Sequence, residues 1–517
     1  MVRRAVEGKE GWHQVDDVQN RPIPEQDRPD PDRDRLDPDR DRLEPDRRGG
    51  GGGGGGGYFR LAERGTTVST EIRAGVTTFM VMAYIIFVNP SILSSGPLEG
   101  LGPPFLPTVV ATALIAGILT ITMGLVSNYP FALAAGLGLN AVVAFQLILG
   151  RGFRWEEAMA VIVWEGILIT ILVLTGLREA IMDAIPMTLK RAIAVGIGLF
   201  ILTIGLVNGG FVRAGEGTVV ALGSLTSPAF LTFLIGLAVA LALLAMRVRA
   251  ALLISILVAT IVAIVLRSAF GDSAGFGPGQ AVLPSQYLFD FSADNFSTIG
   301  APLGFLLSVW TNPELGFVTV ALVVFTLMLS DFFDTMGTVV GISEEAGFLD
   351  ENGRLPGIRN VLLVDSIGAV AGGVFSTSSN TTYIESAAGV AEGGRTGLTS
   401  VVVGLLFLAA ILIAPIAGIV PAQATAAALV VVGYLMFRNI KDIEWGDIDD
   451  VFPVLATLIV MPLTYSITDG IAAGFISYVF LKTVRGRAAE VHPLMWFAAI
   501  AFALYFAIPW LRIIFNI

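Results

Sequence analysis

From Tyr58 onward the chain alternates long apolar runs with short polar breaks, and the breaks carry Pro, Gly and most of the charge. Thr108 to Val126, Leu231 to Met246, Leu252 to Val265 and Val401 to Ile413 hold no charged residue. A bilayer-crossing helix needs about 20 mostly apolar residues. Apolar run, helix breakers and charged flanks together predict spans over 76–92, 108–126, 131–149, 158–176, 188–207, 228–246 and 251–267. A Gly/Ser/Pro-containing connection over 268–315 follows, then spans over 316–338, 358–374, 376–392, 399–416, 422–437, 450–466 and 470–484. A further apolar run covers 493–511.

The charges flanking these runs test the count. With the N-terminus inside, the predicted inner loops hold sixteen Lys and Arg residues and the outer loops four, Arg151, Arg154, Arg213 and Arg267. That asymmetry obeys the positive-inside rule. Seven is odd, so a second set of seven runs upside down relative to the first. The third span of each half is unusually polar or Gly-rich: PFALAAGLGLNAVVAF from Pro130, and the stretch from Ser376. Paired interrupted segments at matching positions point to a midplane site between inverted repeats.

Composition agrees. Hydrophobic residues make up 54% and charged residues 15%, against roughly 25% charged in a soluble domain; mean hydropathy is +0.75. The predicted fold class is an all-α polytopic membrane protein. The 517 residues include no Cys, which removes disulfides, thiolate chemistry and Cys-based metal sites. His13 and His492 lie outside the spans, so a membrane-embedded His relay is excluded. Neither a metal site nor a cofactor is expected, and the basic residues form no nucleic-acid surface. Residues 1–57 are a different material: DPDRDRL in tandem, EPDR, then nine glycines from Gly49, with 14 acids and 11 bases. Such a segment buries too little apolar area to fold and is expected to be a disordered arm and flexible linker. It has no apolar core of the kind a signal peptide needs.

Six carboxylates stand out because acids inside spans are costly and usually face a cavity. They are Glu165, Asp331 and Asp334 (spaced i, i+3), Asp365, Glu385 and Glu392. Asp331 and Asp334 close the apolar run from Phe317, so one of them could also sit at the inner membrane surface. Asp365 and Glu165 could simply bond a neighbouring helix, and Glu392, beside two glycines and Arg395, is expected at the water interface. No Lys or Arg shares the central spans with these acids. Burial without a counter-charge favours a neutral carboxyl, and such a group can carry a proton.

Ser376 to Thr382 is an unbroken run of hydroxyl and amide side chains. Irregular backbone at membrane depth survives only where it lines a cavity or is covered by protein. The run therefore reads as a short extended segment over 374–378 entering a helix near Asn380. Asn140, after Gly136 and Gly138, holds the comparable place in the first half. Carboxylates, an amide and hydroxyls without Arg or Lys suit a planar neutral ligand rich in N–H donors, moving with a proton or another cation.

At these residues the chain resembles a known family. AGVTTFMVMAYIIFVNPSIL from Ala74, GLGLNA from Gly136, DFFDTMGT from Asp331 and TSSNTTYIESAAGVAEGGRTGLTSVV from Thr377 are similar to the AzgA-type purine permeases, over about 70 to 485. These are the hypoxanthine/guanine/adenine branch of the nucleobase–cation symporters. The resemblance implies a seven-plus-seven inverted-repeat transporter fold, with short strands in spans 3 and 10. It divides the chain into a tail (1–57), core spans 1–4 (58–185), gate spans 5–7 with the outer loop (186–315), core spans 8–11 (316–418), gate spans 12–14 (419–490) and an extra apolar helix (491–517). By similarity Glu385 is the span-10 acid that binds the base, Asp334 the span-8 acid with Asp331 beside it, and Asn140 the span-3 asparagine. Ser379, Thr381 and Thr382 complete the expected substrate-binding set; Asp334, Glu385 and Asp331 form the proton-coupling set. Thr338 stands where uracil-transporting relatives place a His.

The expected function is therefore proton-coupled symport of purine nucleobases into the cell, by a multi-pass protein of the cell membrane with a cytoplasmic N-terminus. The implied partners are a purine nucleobase, a proton and the lipid bilayer. A homodimer is among the assemblies the sequence leaves open. The alternatives are a uracil or xanthine transporter, a sulfate-permease-like anion transporter on the same fold, and a channel or non-transporting receptor. An enzyme has no support.

Overall fold

The computed structural model describes residues 57–515 apart from 177–183, 216, 278, 285, 313–315 and 352–353. The expected tail, save Gly57, lies outside these residues.

Span 1 (Val68–Ser94) begins eight residues earlier than its apolar run suggests. Thr67 caps it, its hydroxyl accepting from Thr70 N, and the flank-like Glu71 is buried inside the protein. The helix breaks at Ala83–Tyr84, before Pro90. Spans 2 (Phe105–Ser127), 4 (Trp155–Thr175), 5 (Met187–Asn208), 6 (Pro228–Ala245) and 7 (Ala251–Ala274) follow the apolar runs closely. Span 3 is strand β1 (Leu133–Ala135) followed by the helical stretch Leu137–Leu149. A small hairpin, β2 (Val212–Arg213) with β3 (Ala221–Leu222), joins spans 5 and 6.

In the second half, span 8 (Phe317–Ala346) runs eight residues past its expected end. Asp331 and Asp334 therefore lie in mid-helix, at least 12 residues from either end. Span 9 is Ile358–Val374. Span 10 is strand β4 (Asn380–Thr382) and a short helix, Ser386–Ala391. Spans 11 (Gly397–Ile419), 12 (Ala422–Asp442), 13 (Ile448–Thr464) and 14 (Ile467–Val484) complete the set. Among the described residues, ten helices are long and apolar enough to cross a membrane. The other four spans are the two broken by strands and spans 9 and 13, with 17 residues each. A C-terminal helix, Pro493–Phe515, packs on spans 14 and 8 and buries Met495 and Phe502.

The extended segment in span 10 is displaced from the expected 374–378. Val374 ends the span-9 helix, and residues 375–379 form a turn in which Ser376 (φ 61°) and Ser378 (φ 67°) take the left-handed region. The strand begins only where a partner exists. β4 pairs antiparallel with β1, Leu133 opposite Thr382 and Ala135 opposite Asn380. The pairing continues through Gly136 N to Ser379 O (2.8 Å) and Tyr383 N to Ala132 O (2.9 Å).

Packing repeats when each span n is exchanged with span n+7. Span 2 lies on span 11 as span 9 lies on span 4; spans 6 and 7 pair as 13 and 14 do; span 12 contacts span 6 as span 5 contacts span 13. Spans 5 and 12 pair with each other across the axis, as β1 does with β4. This is the seven-plus-seven inverted repeat. Spans 2 and 11 approach backbone to backbone: a Cβ on Gly397 would lie 1.8 Å from Gly124 O. Outward-facing Leu231, Leu234 and Leu241 on span 6, and Leu257, Ile261 and Val265 on span 7, form apolar faces suited to lipid.

Candidate functional site

β4 and the mid-sections of spans 1, 3, 8 and 10 surround a cavity of about 100 Å³. Its floor carries Tyr84, Ser330, Asp334, Thr338, Thr381, Thr382 and Glu385, with the Gly136–Leu139 backbone of span 3 alongside. Its opposite wall is apolar: Ile197 and Ile201 of span 5, Val432 and Met436 of span 12. Among the described residues no basic side chain lines it. A larger cleft of about 960 Å³ opens among the loops at one end of the bundle, around Glu99, Gln280 and Pro415. It lies away from the buried acids, and its chemistry is that of a loop surface.

The carboxylates divide into two groups. Asp334 and Glu385 are half-buried and line the cavity. Glu385 Oε1 accepts a hydrogen bond from Tyr84 Oη at 2.7 Å, and Thr381 Oγ1 lies 3.5 Å from Asp334 Oδ2. Behind β4 sit Glu165, Asp331 and Asp365, each at most 3% exposed. Asp331 Oδ2 accepts from Ser379 Oγ at 2.5 Å. Asp365 accepts from Thr382 N (2.9 Å), Thr382 Oγ1 (2.8 Å) and Thr335 Oγ1 (2.7 Å). Ser379 and the short strand that follows it thus present three hydroxyls to three acids, and Asp365 anchors the strand to span 9.

Of the residues expected to bind substrate, the structure brings Glu385, Asp334, Thr381 and Thr382 to the cavity. The Thr382 side chain is taken up by Asp365, and that of Ser379 by Asp331, behind the strand. Asn140 does not line the cavity; its side-chain amide is fully buried, and neither its oxygen nor its nitrogen has a hydrogen-bond partner. Glu392 lies at the bundle end opposite the larger cleft, paired with Arg73 (3.1 Å) and with Arg249.

Two residues escaped the sequence reading. Tyr84 sits among apolar neighbours, and nothing in its local pattern separates it from a core aromatic. Glu71 looked like a flanking charge. It is fully buried and accepts from Arg395 N (2.9 Å), Thr396 N (3.3 Å), Thr399 N (3.1 Å) and Thr399 Oγ1 (2.6 Å). It thereby satisfies the free N–H groups at the start of span 11.

Inverted halves crossing at an antiparallel strand pair, with a small polar cavity beside it, are the architecture of a membrane transporter. A family model described as Permease family matches residues 69–482, and the chain belongs to that family. It is a transporter and not an enzyme. The chain is 38% identical to the adenine permease AdeP of Escherichia coli (strain K12), over 86% of this chain and 94% of that one. It is 39% identical to the guanine/hypoxanthine permease PbuO of Bacillus subtilis (strain 168), over 86% and 98%. Among solved structures it resembles the transmembrane domain of the cyanobacterial bicarbonate transporter BicA, with a TM-score of 0.55 and 16% identity, over 78% of this chain and 96% of that one. That likeness concerns the fold.

Proposed function

We propose that this permease imports purine nucleobases together with protons by alternating access. The observation that carries the reading is the cavity itself: two carboxylates, hydroxyls and exposed backbone on one wall, an apolar opposite wall, and no basic side chain. A flat heterocycle offers N–H donors at its edge and apolar faces. Glu385 accepts two of those N–H groups in a charge-assisted pair, with Tyr84 holding one oxygen, and Asp334 and Thr381 meet the opposite edge. Asn140 follows the Gly136–Leu139 backbone that lines the cavity but is itself fully buried outside it, so the base contacts proposed here rest on Glu385, Asp334 and Thr381. Sequence likeness to adenine and guanine/hypoxanthine permeases supports the same substrate class.

Spans 1–4 and 8–11 act as a core that carries the strands and acids; spans 5–7 and 12–14 act as the gate that supplies the apolar wall. Relative movement exposes the cavity to one side and then the other. Asp331, Asp334 and Glu385 take up and release the coupling proton. The basic inner loops support a cytoplasmic N-terminus in the cell membrane.

Uptake of radiolabelled hypoxanthine into cells or proteoliposomes tests this. An inward proton gradient should drive accumulation, and Glu385→Ala and Asp334→Ala should each abolish it. Normal uptake in both variants sinks the site. Sulfate transport without hypoxanthine transport would favour an anion carrier, a reading that lacks any cationic group at the cavity.

A further inference from the structure

Glu165 stands at the middle of span 4 and is completely buried, yet among the described residues no N–H or O–H group other than a facing carboxyl reaches either of its oxygens. It faces Asp331 of span 8, which is 2% exposed, and Asp365 of span 9 lies beyond. Among the described residues, the other elements that pack most closely on span 4, 142–149, 301–305 and 308–311, carry no titratable residue. The remaining charges on spans 8 and 9 are Asp334, which faces the cavity, and Glu344, Glu345 and Arg359 toward the helix ends. Three carboxyl groups therefore share one water-excluded region, and no cation faces Glu165 among the described residues.

The hydrogen bonds show how these groups divide their charge. Asp365 accepts from three donors and is suited to its anionic form. Asp331 accepts one short bond from Ser379; the single hydroxyl proton of Thr335 goes to Asp365 at 2.7 Å and leaves only a 3.5 Å contact between Thr335 Oγ1 and Asp331. Glu165 accepts nothing. An isolated buried carboxylate with no donor is untenable, and two facing carboxylates repel one another strongly while the region stays closed to water. A single proton resolves both problems, since a protonated Glu165 donates to Asp331 and the pair bears one negative charge.

We propose that Glu165 and Asp331 form a proton-binding pair behind the substrate cavity, and that this pair holds the proton that travels with the substrate. The inference rests on the symport reading above and names the place of its proton. β4 is the link: Ser379 grips Asp331 on the rear side, and Thr381, two residues along, meets Asp334 at the cavity. Loss of the proton makes Asp331 and Glu165 repel and strengthens the hold of Asp331 on Ser379. The strand shifts, and with it Thr381 and the groups that meet the base. One proton binds to the pair when the cavity opens to the acidic side and leaves when it opens to the other.

The test uses purified full-length protein in proteoliposomes with radiolabelled hypoxanthine. Glu165→Gln should exchange internal for external hypoxanthine within about twofold of the parent rate. It should lose at least about tenfold of the accumulation driven by an inward proton gradient, and its exchange should no longer vary with external pH. Infrared spectra at neutral pH should show a carboxylic-acid C=O band that this variant lacks. Gradient-driven accumulation at the parent level, an unchanged C=O band, or loss of exchange together with coupling would each overturn the proposal. Should Glu165→Gln fail to fold, Glu165→Asp must keep gradient-driven uptake with a displaced pH midpoint; an undisplaced midpoint also overturns it. Absence of hypoxanthine transport in the parent protein would instead refute the purine reading.

Discussion

Tyr84 Oη donates a 2.7 Å hydrogen bond to Glu385 Oε1, joining the break in span 1 to the start of the span-10 helix. Tyr84 is 1% exposed and occupies the point where the first half-helix of its span gives way to the second. The bond fixes the carboxylate from one side and leaves its remaining capacity for a ligand.

Tyr84→Phe removes that donor and little volume. A hydrogen bond to a charged group contributes about 1.5–3 kcal/mol, so the half-saturation concentration for hypoxanthine should rise by about tenfold or more. The maximal rate should stay within about twofold. Initial-rate uptake across a concentration series separates the two effects.

Glu71→Ala tests the buried cap of span 11. It strands the N–H groups of Arg395 and Thr396, while Thr399 keeps weaker acceptors, its N–H on Thr396 O (3.2 Å) and its hydroxyl on Glu71 O (3.4 Å). Leaving even one buried donor unsatisfied costs about 1–3 kcal/mol, so a lower melting temperature in detergent is expected. Glu71→Gln keeps one acceptor and should fall between Ala and the parent.

Gly372→Ala should act on the strand. A Cβ there would lie 2.1 Å from Ser378 O and 2.3 Å from Asn380 Nδ2, so the turn before β4 must move. Overpacking of this kind costs about 1–3 kcal/mol and displaces Thr381 and Thr382 from the cavity, so transport should fall sharply. Gly337→Ala is the control, because a Cβ there meets nothing within 4 Å. Equal activity of the two variants would refute the account.

Arg249→Ala should loosen one end of the bundle. Glu392 of span 10 pairs with Arg73 of span 1 and with Arg249, which precedes span 7. Exposed pairs contribute about 0.2–1 kcal/mol, so a shift of about 1.4- to fivefold in conformer populations is expected. Because the chain has no Cys, Thr338→Cys places a single thiol at the cavity. Its labelling by a membrane-impermeant reagent from the Arg249 side should accelerate by that factor in the Arg249→Ala background.

The acids and the polar run were legible because each violates its surroundings. Glu385, Asp334, Asp331 and Asp365 stand in apolar runs, and Ser376–Thr382 interrupts two of them. Lipid tolerates neither feature unless a cavity or protein covers it. Glu71 and Tyr84 broke no local rule. A charge near a span end and an aromatic in an apolar run are ordinary, and their roles come from Thr399 and Glu385, each about 300 positions away.

By itself the sequence determined the number and order of the spans, because hydrophobic length against bilayer thickness is a local property. It also determined that the third and tenth spans are broken and that Glu165, Asp331, Asp334, Asp365 and Glu385 have no Lys or Arg in the middle of their own spans. Only the tertiary structure decided that the strand covers Asn380–Thr382 instead of 374–378, since a strand forms where another offers N–H and C=O groups, and that partner is Leu133–Ala135. The same pairing sorted the acids. With β4 in register, Asp334 and Glu385 fall in front of the strand and open to the cavity, while Asp331, Asp365 and Glu165 fall behind it, closed off from water.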